Sequence, residues 1–319
     1  MSTDYEMMLD LYDRVGQDSS VFSSADVAHL VIHGNEVKGA ALVPGLLVEP
    51  EQTDTGVNVR MVVEEGARIS NQVHMCFGVL PEEGLQQIGL DVELRDESEV
   101  AVLAHCVFPN AVDVTHEMEA EIRVGAGARY RYFERHVHGE SGGVLVVPRA
   151  KVQVGAGASF QTEFELIQGR MGRIEIDYET WCAEQSTMRM VARMAGRGDD
   201  RAEVRETAHL EGRGATGVLL SRVAVREDAY ADIYNEVTAS APEARGHVDC
   251  KEIVQDNAVA RATPVVDVRD PRAHVTHEAA IGSVDSKQLQ TLMARGMNEE
   301  EAVELIISGL LRHQEPEEF

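Results

Sequence analysis

Gly246-His247-Val248-Asp249-Cys250 and Thr276-His277-Glu278-Ala279-Ala280 offer a thiol and, 27 and 28 residues after it, an imidazole and a carboxylate. A cysteine beside a histidine can be held as thiolate, the form that binds iron or accepts sulfur. Spacing alone leaves Cys250 open between this role and that of a structural core cysteine. A second set is periodic: His74 and His105 are 31 apart, His136 lies 31 further on, and Cys76 and Cys106 are 30 apart. In a repeating fold such residues should stack. They then form either a ladder for metal or sulfur, since imidazole and thiolate suit zinc and iron, or a polar row bonded to itself. His136-Val137-His138 reads as a solvated strand end, and Asp199-Asp200, after Gly196-Arg197-Gly198, as an ordinary loop. Neither G-x-x-x-x-G-K-[ST] nor G-x-S-x-G occurs, so a phosphate-cradling loop and a nucleophile elbow are both missing.

The elements that must position these groups follow from periodicity. Thr3 and Glu6 have capping-box spacing ahead of Met7, Met8, Leu11 and Val15 on one face, predicting a short helix, with a turn-like stretch over 16–24. From about Asp26 to about Val275 the period is two, as in Val57-Asn58-Val59-Arg60-Met61, which is the strand signature. Within it an apolar residue, three mostly turn-forming residues and a small residue recur. The motif reads Val63–Ala67, Leu94–Ser98, Val124–Ala128, Val154–Ala158, Val225–Ala229 and Val254–Ala258, with weaker matches at Cys182–Ser186 and Leu210–Ala215. The small residues at 67, 98, 128 and 158 are 31, 30 and 30 apart, and those at 229 and 258 are 29 apart. Even repetition of this length is the mark of a solenoid, whose coils bury their apolar faces only by stacking. The sequence therefore predicts a β-helix with irregular or longer-looped middle coils. A coil of this length places Cys250 against the strand bearing His277 and Glu278, at the last coils. Two helices are expected beyond it, Ser286–Arg295 and Glu299–Arg312, from Asp285 with Gln288, Asn298 with Glu301, and Gly296 between them. The expected organisation is an N-terminal helical segment (1–25), a β-helix core (26–284) and a C-terminal helical subdomain (285–319).

Composition narrows the function classes. With 319 residues and 44% hydrophobic content the chain can bury a large core. Its 55 acidic against 29 basic residues give a formal charge of −26, a field that repels phosphate and argues against nucleic acid and anionic membranes. No apolar run suggests export or membrane insertion, so a cytoplasmic location is expected. Cysteines at 76, 106, 182 and 250 form neither a CxxC pair nor a disulfide framework and read as reduced thiols. Aromatic content of 5% with one tryptophan speaks against a β-helical carbohydrate-active enzyme, which needs an aromatic-lined groove.

Gly246-His-Val-Asp-Cys-Lys-Glu-Ile-Val254, Thr276-His-Glu-Ala-Ala-Ile-Gly-Ser-Val-Asp285 and Leu292-Met-Ala-Arg-Gly-Met-Asn-Glu-Glu-Glu-Ala-Val303 resemble the SufB/SufD family of iron-sulfur cluster assembly scaffolds. The resemblance is specific over 244–311 and diffuse over the preceding β region. It implies a right-handed parallel β-helix, and C-terminal helices that dock an ABC-type ATPase, SufC. It further implies dimerisation through the β-helix ends, with a transient Fe-S cluster at that interface and a sulfur donor such as a cysteine desulfurase system. By position Cys250 matches the essential cysteine of the SufB type, His277 the interface histidine and Glu278 the adjacent glutamate; Cys106 is a candidate for sulfur entry. Thr276 departs from the acidic residue of bacterial SufB, and the long N-terminal helical region of bacterial relatives is missing, as in short archaeal and anaerobe types. The expectation is an assembly scaffold rather than an enzyme, binding no nucleotide itself; the alternative is a SufD-like structural partner without its own cluster.

Overall fold

The computed structural model describes residues 4–14 and 18–312. Thr3 and Val15 of the expected first helix, and the last seven residues of the C-terminal segment, lie outside them. Helix α1 (Asp4–Arg14) is followed by a 3₁₀ turn (Ser19–Ser23) where the sequence predicted irregular turns. Nineteen strands come next among the described residues. The first nine are β1 (His29–His33), β2 (Glu36–Ala41), β3 (Leu46–Gln52), β4 (Gly56–Val63), β5 (Val73–Gly78), β6 (Glu83–Leu94), β7 (Glu99–Phe108), β8 (Asp113–Val124) and β9 (Arg129–His138). The next five are β10 (Val144–Val154), β11 (Ser159–Gln168), β12 (Arg173–Cys182), β13 (Thr187–Gly196) and β14 (Arg201–Leu210). The last five are β15 (Thr216–Val225), β16 (Tyr230–Ala239), β17 (Arg245–Val254), β18 (Val259–Val268) and β19 (His274–Gly282). Helices α2 (Ser286–Met293) and α3 (Glu299–Leu311) complete the chain. The last strand, β19, carries the strand region past the clear period-two pattern, which fades near Val275, and ends within the expected core boundary of 284.

From β4 onward the strands alternate between two sheets, one ordered β19-β17-β15-β13-β11-β9-β7-β5-β1-β2 and the other β18-β16-β14-β12-β10-β8-β6-β4-β3. The product is a parallel β-solenoid of about eight turns, closed at its N-terminal end by two antiparallel pairs, β1 with β2 and β3 with β4.

The recurring motif is a corner. Its apolar residue forms one ladder through the second sheet, Val63, Leu94, Val124, Val154, Cys182, Leu210, Ala239 and Val268, each opposite the next. The residue before the small one is left-handed, as at Glu97 (φ 57°) and Gly127 (φ 66°), and turns the chain into the next strand. The weak matches at Cys182 and Leu210 are full members of this ladder, so the middle coils are regular. Val225 and Val254 pair with each other in the first sheet and belong to the opposite corner. Two corner series had been read as one, which produced the expected irregularity.

The C-terminal caps form as the sequence predicts. Asp285 accepts from the Gln288 amide at 2.7 Å, and Asn298 and Glu301 make the reciprocal capping box at 2.9 Å each. Helix α3 packs Ile307 and Leu311 on Ala224, with Val303, Leu310, Ala195 and Ile253 around them, on the outer face of the first sheet. No residue of α2 is fully buried. No helix among the described residues is long and apolar enough to cross a membrane.

Candidate functional site

In β17 the inward positions are Gly246, Val248, Cys250 and Glu252, because Arg245 and the intervening residues alternate outward. Cys250 is fully enclosed. It lies opposite Ser221 of β15 on one side and Ala279 of β19 on the other. Asn235 reaches across from the other sheet, its amide nitrogen 3.7 Å from Sγ. Turned over, that amide donates instead to Glu206 Oε2 and the Tyr234 carbonyl at 3.1 Å each. The carbonyl oxygen then faces the sulfur as an acceptor for a thiol S–H. The Ser221 hydroxyl donates to Glu252 Oε1 at 3.0 Å. Burial pushes the Cys250 thiol up to about 11, against the Ser221 hydroxyl, which favours the thiolate; the nearby Glu252 carboxyl adds to the rise. Burial also raises Glu252 to about 7 and Glu206 to about 8. In the single chain this is an enclosed pocket in which the thiol is protonated and both carboxyls are pushed up towards neutral pH.

His277 and Glu278 both sit on β19, the strand next to Cys250, and both are exposed. Val248 lies opposite His277 and Asp249 opposite Glu278. His277 therefore shares the inward face of Cys250, two residues out of register, whereas Glu278 lies on the outward face beside Asp249. One chain brings the thiol and imidazole to one face and leaves the carboxylate on the other.

The end coil itself is uncovered among the described residues. Val268, Val266 and Ile281 occupy inward positions that are core in every earlier coil, yet they are 47, 37 and 47% exposed.

The histidine and cysteine ladder resolves into two groups on opposite faces of the first sheet. The register advances by 29 residues from β5 to β7, Val73 opposite Val102, but by 30 from β7 to β9, Cys106 opposite His136. Cys76 consequently pairs with His105, and His74 with Leu103, so His74 and His105 do not sit side by side and Cys76 and Cys106 do not stack. His29, His74, Cys76 and His105 face outward beneath α1 and the 3₁₀ turn, where the Tyr12 hydroxyl and His74 Nδ1 share a hydrogen bond at 2.7 Å and Phe22 packs on His29 and His74. Cys106, Glu134, His136 and His138 face inward, and His116 of β8 meets them from the second sheet. His136 and His138 are 1 and 5% exposed, which overturns their reading as a solvated strand end. Glu134 and His116 were overlooked. The alternation Tyr130, Tyr132, Glu134, His136, His138 is the signal for Glu134, since it carries the inward phase of β9 from aromatic to ligating residues; nothing in β9 points to His116. Asp200 is structural, its carboxylate accepting from the amides of Met171, Gly172 and Arg197. All four cysteines are free and buried.

The interior of this parallel solenoid thus carries thiols, imidazoles and carboxyls, and Cys106, Glu134 and His136 lie close enough together to hold a metal ion. Residues 81–310 match the SUF system FeS cluster assembly, SufBD core domain. The iron-sulfur cluster assembly SufBD family protein of Methanocaldococcus jannaschii is 35% identical over 267 residues, 84% of this chain and 84% of its own length. That of Pyrococcus horikoshii is 33% identical over 308 residues, 97% of this chain and 94% of its own. A more distant one from Methanothermobacter thermautotrophicus is 25% identical over 249 residues, 60% of its length. The chain belongs to the SufBD family of iron-sulfur cluster assembly proteins.

Proposed function

We propose that this chain is the scaffold on which a SUF-type machine builds or transfers an Fe-S cluster, at an interface made by the C-terminal ends of two solenoids. The observation that carries this reading is the uncovered last coil: core positions stand in solvent, with Cys250 one strand beneath them and His277 on the same face at the rim. A second copy meeting this end would cover Val266, Val268 and Ile281 and extend both sheets. Cys250 of one subunit supplies a thiolate to iron or receives sulfur, His277 of the facing subunit a nitrogen ligand, and Glu278 of that same facing subunit an oxygen ligand or proton acceptor. The cluster is cargo, so few permanent ligands suit it.

The thiol is neutral and enclosed in the single chain, so the last coil must open for iron or sulfur to reach it. A SufC-like ATPase docked on α2 and α3 has a mechanical route to do this. Ile253, three residues along β17 from Cys250, packs against the cluster that α3 makes with Ala224, and Arg226 pairs with Glu304. Met293 of α2, 42% exposed, and Leu305 of α3, 50% exposed, leave an apolar surface for that partner. The sulfur comes from a donor such as a cysteine desulfurase system.

Anaerobic reconstitution with iron and sulfide tests the role of Cys250. Wild type should acquire cluster absorbance and Cys250→Ser should not; equal absorbance refutes the assignment. A SufC-like ATPase should be retained by the full chain and lost on deletion of 286–319. The burial of Cys250 favours one second reading, a SufD-like structural subunit; that reading predicts no cluster on the wild-type protein alone.

A further inference from the structure

Four ligating side chains converge in the solenoid interior far from Cys250. Cys106 lies opposite His136 in adjacent strands, and Glu134 lies opposite Ala104, whose small side chain leaves room for it. Glu134 Oε1 is 2.6 Å from His136 Nε2 and 4.0 Å from Cys106 Sγ, and His116 Nε2 is 3.9 Å from the same sulfur. Ligand atoms of Cys106, Glu134 and His136 all fall within 4.8 Å of one another. None of the four residues is more than 1% exposed. Glu134 Oε2 and His116 Nδ1 have no hydrogen-bond partner among the described residues. Enclosing such groups without partners is costly, and a cation held on the Glu134 carboxylate would offset part of that cost, whereas His116 Nδ1 stays unpartnered when Nε2 ligates.

The protons in this cluster follow from its hydrogen bonds. The Arg170 carbonyl can only accept, so His138 Nδ1–H donates to it at 3.0 Å, leaving His138 Nε2 as an acceptor. His136 Nδ1–H then donates to His138 Nε2 at 3.3 Å, and His136 Nε2 must accept, its donor being the Glu134 carboxyl. Burial independently raises Glu134 to about 7 and lowers His136 to about 3. The relay fixes the His136 tautomer and aims the Nε2 lone pair at Glu134 and Cys106. A metal-ligating histidine typically needs this outer hydrogen bond.

We propose that Cys106, His116, Glu134 and His136 form a buried four-coordinate site for one divalent ion of the zinc or ferrous class. A tetrahedral ion with bonds of about 2.3 Å to sulfur and about 2.0–2.2 Å to nitrogen and oxygen sets ligand edges of roughly 3.3–3.5 Å. The Cys106–His116 and Cys106–Glu134 edges contract by about half an ångström to reach this, the Cys106–His136 edge closes from within 4.8 Å, and the Glu134–His136 edge opens once its proton leaves. Loading releases one proton from the Cys106 thiol and one from the Glu134 carboxyl to solvent. Thiolate, carboxylate and two neutral imidazoles then balance the dication, so the loaded site carries no net charge. Cys106 and Cys250 are five strand steps apart in one sheet, about 24 Å at 4.8 Å per step, so the two cysteines serve separate sites.

Cobalt(II) tests this in the Cys250→Ser chain, supplied both to the folded protein and during expression because the site is enclosed. One cobalt per chain is expected, with thiolate-to-cobalt charge-transfer absorption and tetrahedral ligand-field bands. The further change Cys106→Ser should abolish the charge-transfer band, and Glu134→Gln should weaken retention at least tenfold. Should Cys106→Ser fail to fold, X-ray absorption of the cobalt-loaded Cys250→Ser chain decides. One sulfur with three nitrogen or oxygen neighbours supports the site. A first shell without sulfur, or substoichiometric cobalt, overturns it whether or not Cys250 builds a cluster.

Discussion

The two ends of the solenoid are built on opposite principles. At the N-terminal end two antiparallel pairs terminate the sheets, the edge strand β2 carries Glu36 and Lys38, and α1 lays Met8 and Tyr12 over the outer face. Charges on an edge discourage further pairing. At the C-terminal end the same interior ladder that holds Leu94 and Leu210 at 1 and 0% exposure stops at Val268 with 47%. Helix α3 packs on the outer face of the first sheet, on Ala224, instead of over this end. A repeating fold can be ended or left to be continued, and here each end takes one course. The cysteines follow the same division: Cys106 is sealed among fixed partners, whereas Cys250 lies one strand from an open coil.

The sharpest contrast is in stability. Leu210→Ala should cost about 2–5 kcal/mol in urea unfolding, whereas Val268→Ala, on the same ladder, should stay within about 0.5 kcal/mol for the isolated chain. A comparable loss at Val268 would mean that the end is covered in solution. The interior acids come next. Glu206 titrates near 4.5 when unfolded and near 8 when folded, so the folded chain binds the extra proton between those values. Its contribution is fully present below pH 4.5 and lost as pH rises towards 8, on the order of a few kcal/mol. Glu206→Gln should therefore flatten the fall in melting temperature across this window, and an unchanged pH profile would show that Glu206 is already ionised. Ile281→Glu places a charge on the open face and should weaken self-association at least tenfold, about 1.4 kcal/mol, by sedimentation. The smallest effect belongs to the closed end. Tyr12→Phe removes one hydrogen bond to His74 and should cost about 1 kcal/mol, leaving dimerisation untouched.

Much of this architecture is legible in the residues. The corner motif announces the solenoid because its apolar member is a continuous ladder, and the helix caps at Asp285 and Asn298 are local chemistry that survives any tertiary context. Faces are harder. A coil of 29 rather than 30 residues reverses which side of the sheet a side chain occupies, so Cys76 and Cys106, 30 apart, end on opposite faces. The same slip hid the inward set of Glu134, His136 and His138. His116 comes from the other sheet, and no single-strand pattern could bring it to Cys106. Cys250 and His277 were placed on neighbouring strands by spacing, but the separation of Glu278 onto the outward face needed the register itself.

The central claim is that the cluster site is shared between two solenoid ends, and complementation measures it most directly. Cys250→Ser and His277→Ala are reconstituted anaerobically with iron and sulfide, each alone and after subunit exchange in a mixture. Random exchange makes half the dimers mixed, each with one intact Cys250–His277 pair across the interface, so the mixture should recover about a quarter of wild-type cluster absorbance while neither variant alone acquires it. A mixture that stays at the average of the two separate variants contradicts a site built across the interface.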